Sequence, residues 1–211
     1  DRAHPRDRGL TCSTKRSTRG RELLSSDFFF RLSTGGVRSA KAFLALAGTM
    51  ELTFNWHYVD HRDVAVFSSG RVPVRAASVD QGLPTKGTGE FEWQGFLAPK
   101  KHPQQINPKS GLILNWNNKH ARGFVGGDNE WGYGSVQRVD LLWAAAQRTK
   151  KHTLATLVGA MNLAATQDLR AVRVWPLVSA MLARGTSPSA RATQAAALVD
   201  AWAQRTGARL D

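Results

Sequence analysis

The spacing of apolar positions changes character along the chain. Up to about residue 36 the background is basic and polar, with Leu23-Leu24 and Phe28-Phe29-Phe30 as apolar islands. Phe28 to Leu32 fits a buried strand or a helix turn, because so short a run has no readable period. Gly35-Gly36 breaks the chain, and Val37, Ala40, Phe43, Leu44 and Ala47 then share one face of a helix predicted over Val37 to Leu46. Leu52 to Val59 alternates and is rich in β-formers, Asp60 to Asp63 is a polar turn, and Val64-Ala65-Val66-Phe67 is the return strand of a hairpin. Gly70 to Gly111, with Pro73, Pro84, Pro99, Pro103 and Pro108, reads as loop; a loop of that length in a compact domain points to a functional surface. Leu112 to Trp116 reads as a short apolar strand ending in polar residues.

The last third is helical. Val139, Leu142, Trp143 and Ala146 recur at helical spacing, as do Leu154, Leu157, Val158 and Met161. Pro176 must kink or end the helix entered near Asp168. Ser187-Pro188 is a helix start signal, followed by Ala195, Leu198, Val199 and Trp202 on one face. The pattern is α+β in three parts: a basic N-terminal segment over 1–36, a β-rich part with long loops over 37–138, and a helical region over 139–211.

Composition narrows the function classes. The chain has 211 residues, 42% of them hydrophobic, enough for one sizeable core with an appended helical lobe. No run of about 18 apolar residues exists, so neither a transmembrane helix nor a membrane partner is expected. The first residues, Asp1 to Arg8, are charged, and no signal peptide is visible in this chain. The single cysteine, Cys12, excludes a disulfide framework and a cysteine-rich zinc site. The net charge of +13, from 29 Lys+Arg against 16 Asp+Glu, permits polyanion binding. No zinc-finger, RNP-type or helix-turn-helix pattern accompanies it, so nucleic acid is not the expected partner.

No self-sufficient catalytic set stands out. His57 and His61 lie on a strand and its turn, where their spacing does not place both rings on one face. No Gly-x-Ser-x-Gly elbow or phosphate-binding glycine loop occurs. The stronger signal is the entry turn Asn107-Pro108-Lys109-Ser110-Gly111, followed by Asn115-Trp116-Asn117-Asn118-Lys119 at the end of the predicted strand. A carboxamide NH₂ there can donate to a developing oxyanion without itself titrating. The same asparagines also suit a plain turn. Arg138, beyond Gly126-Gly127-Asp128-Asn129-Glu130-Trp131 and at the head of a helix, can orient an amide or a carboxylate, or pair on the surface with Asp140 or Glu130.

Five segments occur in this order in the penicillin acylase (penicillin amidase) family, and the chain resembles that family most over Phe43 to Leu182. They are Leu52-Thr53-Phe54-Asn55-Trp56-His57-Tyr58-Val59-Asp60, Gly87 to Leu97, Asn107 to Gly111, Asn115 to Lys119 and Gln137-Arg138-Val139. Near the start, Arg16-Ser17-Thr18-Arg19-Gly20 is similar to a family segment but lacks its histidine and Pro-Val. The resemblance implies part of an N-terminal-nucleophile hydrolase, an αββα sandwich represented here by a β-hairpin section followed by a helical lobe. It implies cleavage of a linear carbon-nitrogen amide bond through an acyl-enzyme, with an N-terminal serine whose own amine is the base.

On the same resemblance Asn117 matches the asparagine of the oxyanion hole and Arg138 the arginine that holds the site. Asp128 and Gln81 fall near calcium ligands, so a structural calcium ion is implied. The partners implied are a small acyl-amide substrate and other segments or chains of the acylase heterodimer, in an exported setting. Ser13, Ser17, Ser25 and Ser26 lack the free amine that the mechanism needs, so this chain is expected to be an internal β-chain fragment, inactive alone, whose nucleophile lies elsewhere. Acyl specificity (penicillin, cephalosporin side chain or acyl-homoserine lactone) stays open. The alternative reading is a non-catalytic basic module that binds a polyanion or a partner chain.

Overall fold

A computed structural model describes residues 13–119, 121–124, 138–185, 189–205 and 207. The chain forms two compact units, one of residues up to Ile113 with Lys119 and 121–124, the other of Leu114–Asn118 and the residues from Arg138 onward. Together they mix helices with a small antiparallel sheet, in keeping with the α+β expectation.

In the first unit the Phe28 island is helical: α1 spans Ser25–Ser33. Asp27 in its first turn pairs with Arg31 one turn on, at 2.7 Å, a spacing that only a helix brings together. Phe28 turns inward and is fully buried, whereas Phe29 and Phe30 stay exposed. Helix α2 spans Ala40–Ala47, and the Ser39 side chain caps it by accepting from the Ala42 N–H. The predicted start at Val37 therefore moves to the cap.

The expected hairpin is present as β1, Asn55–Val59, and β2, Val64–Ser68, in the register Trp56 opposite Phe67 and Tyr58 opposite Ala65. Alternation sends Ala65 and Phe67 of β2 to one face. There they join Phe28, Ala40, Phe43, Leu46, Ala47 and Met50 in the core, with Trp56 and Tyr58 packed on its edge. The small side chains Ala40 and Ala47 let α2 lie close to the sheet.

Two expectations change. The stretch read as continuous loop contains β3, Gln104–Ile106, antiparallel to β2. All three residues are exposed, so the strand is held by backbone bonds and carries no hydrophobic pattern to read. Buried His102 sets its start, with Nδ1 2.9 Å from the Ser68 carbonyl, while the Ser68 N–H donates to the Pro103 carbonyl. Conversely, Leu112 to Trp116 forms no strand. Side chains satisfy N–H groups at both ends of the stretch: Leu112 N–H donates to Ser110 Oγ at 3.3 Å, and Trp116 N–H to Asn118 Oδ1 at 2.9 Å.

Two polar knots fix the hairpin. Buried Ser69 accepts from the Trp56 indole N–H at 2.8 Å and donates to the Leu52 carbonyl at 2.6 Å. Next to it Gly70 has φ +137, and a Cβ there would lie 2.9 Å from Thr53 Oγ1, so glycine is needed. At the other end Asp60 accepts from the Tyr58 hydroxyl and from the Arg62 and Asp63 N–H groups, each at 2.7 Å. These bonds, the tyrosine's foremost, hold the Asp60 carboxyl at about 2, below its ordinary 3.8.

In the second unit α3, Val139–Ala146, packs on α4, Leu154–Ala165. Thr153 and Thr156 form a reciprocal capping box at the start of α4. The break expected at Pro176 separates α5, Leu169–Arg173, from α6, Trp175–Arg184, which carries the proline in its first turn, where no N–H is needed. The last helix, α7, spans Ala190–Gln204 and is capped by Ser189. Ser187 and Pro188, read as its start signal, lie outside the described residues. The Trp175 indole ties α6 to α7 through Asp200 Oδ1 at 2.6 Å. No helix among the described residues is long and apolar enough to cross a membrane.

Because Asp60 is held below its ordinary range, its contribution to stability is complete above about pH 4 and is lost as pH falls toward about 2. The urea midpoint should fall over that window in the native chain and less steeply in Asp60→Asn; equal slopes would remove Asp60 from the account. Ser69→Ala removes a buried hydroxyl that serves both the half-buried Trp56 N–H and the Leu52 carbonyl, and should cost about 1–3 kcal/mol in chemical denaturation. A cost under half of that would show that Ser69 is dispensable.

Candidate active site

The turn Asn107 to Gly111 forms as the sequence suggests, closed by Gly111 N–H donating to the Pro108 carbonyl at 2.8 Å. Asn107 itself serves the hairpin of the first unit. Its Oδ1 accepts from Val64 N–H at 3.0 Å and its Nδ2 donates to Asp63 Oδ1 at 2.7 Å. It is a clasp on β2 and belongs to no reactive surface.

The three later asparagines divide the work differently. Asn115 and Asn118 bond to each other, Nδ2 to Oδ1 at 3.3 Å, and to the backbone of the loop. They are turn-formers. Asn117 lies between them with φ +56, a left-handed conformation that asparagine tolerates better than most residues. Its side chain is free of the turn and is exposed.

Arg138 stands immediately before α3 and reaches back to this loop. Its Nη2 donates to Asn117 Oδ1 at 2.5 Å, its Nε to the Trp116 carbonyl at 3.4 Å, and its guanidinium carbon lies 5.0 Å from the centre of the Trp116 ring. The fork, the indole plate and the carbonyl together limit the rotation of both side chains. Among the described residues no ion pair joins Arg138 to Asp140; Glu130, the other rival for it, lies outside them.

This contact has a chemical consequence. A carboxamide has one acceptor oxygen and one donor nitrogen. With Oδ1 already accepting from a cation, Nδ2 is left free to donate. The adjacent positive charge draws electron density from the amide and strengthens that donor. Trp116 is the component that sequence reasoning passed over, although its place beside Asn117 and the need of an exposed arginine for a flat surface were its available signals.

The other candidates gather no comparable arrangement. Gln81 Oε1 accepts from Arg75 Nη1 at 3.3 Å. Asp128 and Cys12 lie outside the described residues. Among the described residues no three of His, Cys, Asp and Glu come together to hold a metal ion. His57 faces Val66 across the hairpin, His61 sits in its turn, and His102 stacks on Phe67 inside the first unit. Ser25 is buried at the start of α1, and neither it nor Ser26 has a free amine.

What the described residues bring together here is a loop carboxamide held by an arginine beside an indole ring. The profile of the penicillin amidase family matches residues 17–210, and the chain belongs to that family. Penicillin G acylase of Escherichia coli is 36% identical over 83 residues, 39% of this chain and 10% of that protein. The crystal structure of a thermostable penicillin G acylase from Alcaligenes faecalis superimposes with a TM-score of 0.73 at 26% identity, over 89% of this chain and 34% of that one. The chain thus spans about a third of the solved relative's chain.

The left-handed backbone at Asn117 separates fold from chemistry. Asn117→Gly should leave the thermal midpoint nearly unchanged, whereas Asn117→Val should cost about 1–3 kcal/mol through backbone strain. Equal midpoints for the two variants would mean that the loop relaxes away from φ +56.

Proposed function

We propose that the chain supplies the oxyanion-stabilising wall of a penicillin-acylase-type amidohydrolase, with Asn117 Nδ2 as donor and Arg138 as the group that aims it. The observation that carries this reading is the 2.5 Å bond from Arg138 to Asn117 Oδ1, which orients the amide and leaves Nδ2 free to donate. Family membership supports it independently and does not favour the basic polyanion-binding module.

In the proposed reaction a serine hydroxyl attacks the carbonyl carbon of an acyl amide and the carbonyl oxygen takes up the negative charge. Asn117 stabilises that oxygen; the amine leaves with the proton taken from the hydroxyl, and water then releases the acid from the acyl-enzyme. The serine and its α-amine come from outside the described residues, since an internal serine's nitrogen is tied up in a peptide bond. The hairpin and α2 form part of an αββα sandwich in this reading, and an exported protein with further acylase polypeptide is its setting. Calcium would belong with Asp128 and Gln81; the described residues assemble no site for it, and no step here runs through a metal.

Two measurements test the assignment. The purified chain should not turn over an acyl-amide reporter; turnover would overturn the division of labour between this wall and an external nucleophile. In a family acylase whose own segment is replaced by residues 107–138 of this chain, Asn117→Gly removes the carboxamide without backbone strain. It should lower kcat by about 100 to 1,000-fold with KM little changed. A change below about threefold would return Asn117 to the role of turn-former.

A further inference from the structure

Helix α4 is apolar nearly all the way round. Across Leu154–Ala165 the polar side chains are Thr156, which serves the capping box, and Asn162. Such a helix is stable only when covered on more than one side. Yet the side buried within this unit is the one with small residues, Ala160 and Ala164, a surface that allows close approach of a neighbouring helix. The large residues take another side. Leu154 is 80% exposed, Leu157 38%, Val158 45% and Met161 60%. Their i, i+3, i+4, i+7 spacing is the pattern by which a helix meets a partner, and four such residues in a row form a continuous patch rather than scattered surface apolar groups.

The charges that lead into the helix specify what could cover it. Arg148, Lys150 and Lys151 precede the helix and are exposed, and none of them makes an ion pair among the described residues. No acidic residue occurs between Asp140 and Asp168. The positive end of the helix dipole adds to the same end of α4. We infer that the Leu154-Leu157-Val158-Met161 face docks an amphipathic helical segment of a separate polypeptide, one whose apolar stripe meets these residues and whose acidic residues lie against Lys150 and Lys151. A second copy of this chain fits poorly, because the association would bring together two chains of net charge +13 each.

The test uses the full chain and a labelled helical peptide of leucine and glutamate with one apolar face, with a leucine–lysine peptide of the same pattern as control. The acidic peptide should bind saturably and less well as salt rises, and the basic one should not bind. Leu157→Glu and Met161→Glu should each weaken binding about tenfold or more, whereas Ala155→Glu, on another exposed side, should leave it unchanged. Replacing Lys150 and Lys151 with glutamine should weaken binding and flatten its salt dependence. Because the substituted side chains are exposed, circular dichroism and the thermal midpoint should stay as in the native chain. Absence of saturable binding, equal binding of the basic peptide, a concentration-dependent dimer abolished by Leu157→Glu, or adsorption to phosphatidylserine vesicles in place of peptide binding would each overturn the inference.

Discussion

The bond from the Arg138 guanidinium to Asn117 Oδ1 is the constraint on which the functional reading depends. Without it a side-chain amide on an exposed loop is ambivalent, able to accept or donate as solvent dictates. With it the amide is oriented oxygen toward the arginine, the nitrogen is left free to donate, and the direction of donation follows from the loop. The loop is fixed in turn by Asn115 and Asn118, which satisfy their own backbone and hold Asn117 in the left-handed region. Each asparagine thus has a separate task. Only the one without turn duties is available for chemistry.

What could be read in the sequence follows from where the physical signal resides. Alternation marked the β1–β2 hairpin because one of its faces is buried, and helical spacing marked α2 for the same reason. In α3 the stripe read from the sequence is buried at Val139 and Ala146, whereas Leu142 and Trp143 are half-buried and Leu141 and Ala145 take the inner side. β3 was unreadable because its three residues are exposed and it pairs with β2 through the backbone. Leu112 to Trp116 misled because strand-forming side chains say nothing about whether a partner strand is available, and here side chains hold the N–H groups of Leu112 and Trp116. At the site, Asn117 and Arg138 were legible as residue types, and their contact was not: it spans 21 positions and depends on a backbone angle. The apolar stripe of α4 was equally legible as a stripe, while the side on which α4 packs is the alanine side.

Exposure decides what the Asn117 donor is worth. A hydrogen bond exchanged with water contributes about 1 kcal/mol net, whereas losing an oxyanion donor in a water-excluded site costs about 2.7–4 kcal/mol. Asn117 and Arg138 are both exposed here, so water competes with any substrate oxygen for Nδ2. The geometry is that of the stronger case and the surroundings are those of the weaker one. What separates them is a cover of low polarity over Asn117. Orientation is already set within this chain by Arg138, Trp116 and the two flanking asparagines; in the proposed reading, exclusion of water is the element still required. A wall of the proposed kind is therefore preorganised in angle before it is preorganised in dielectric, and the second step determines whether the first one accelerates a reaction.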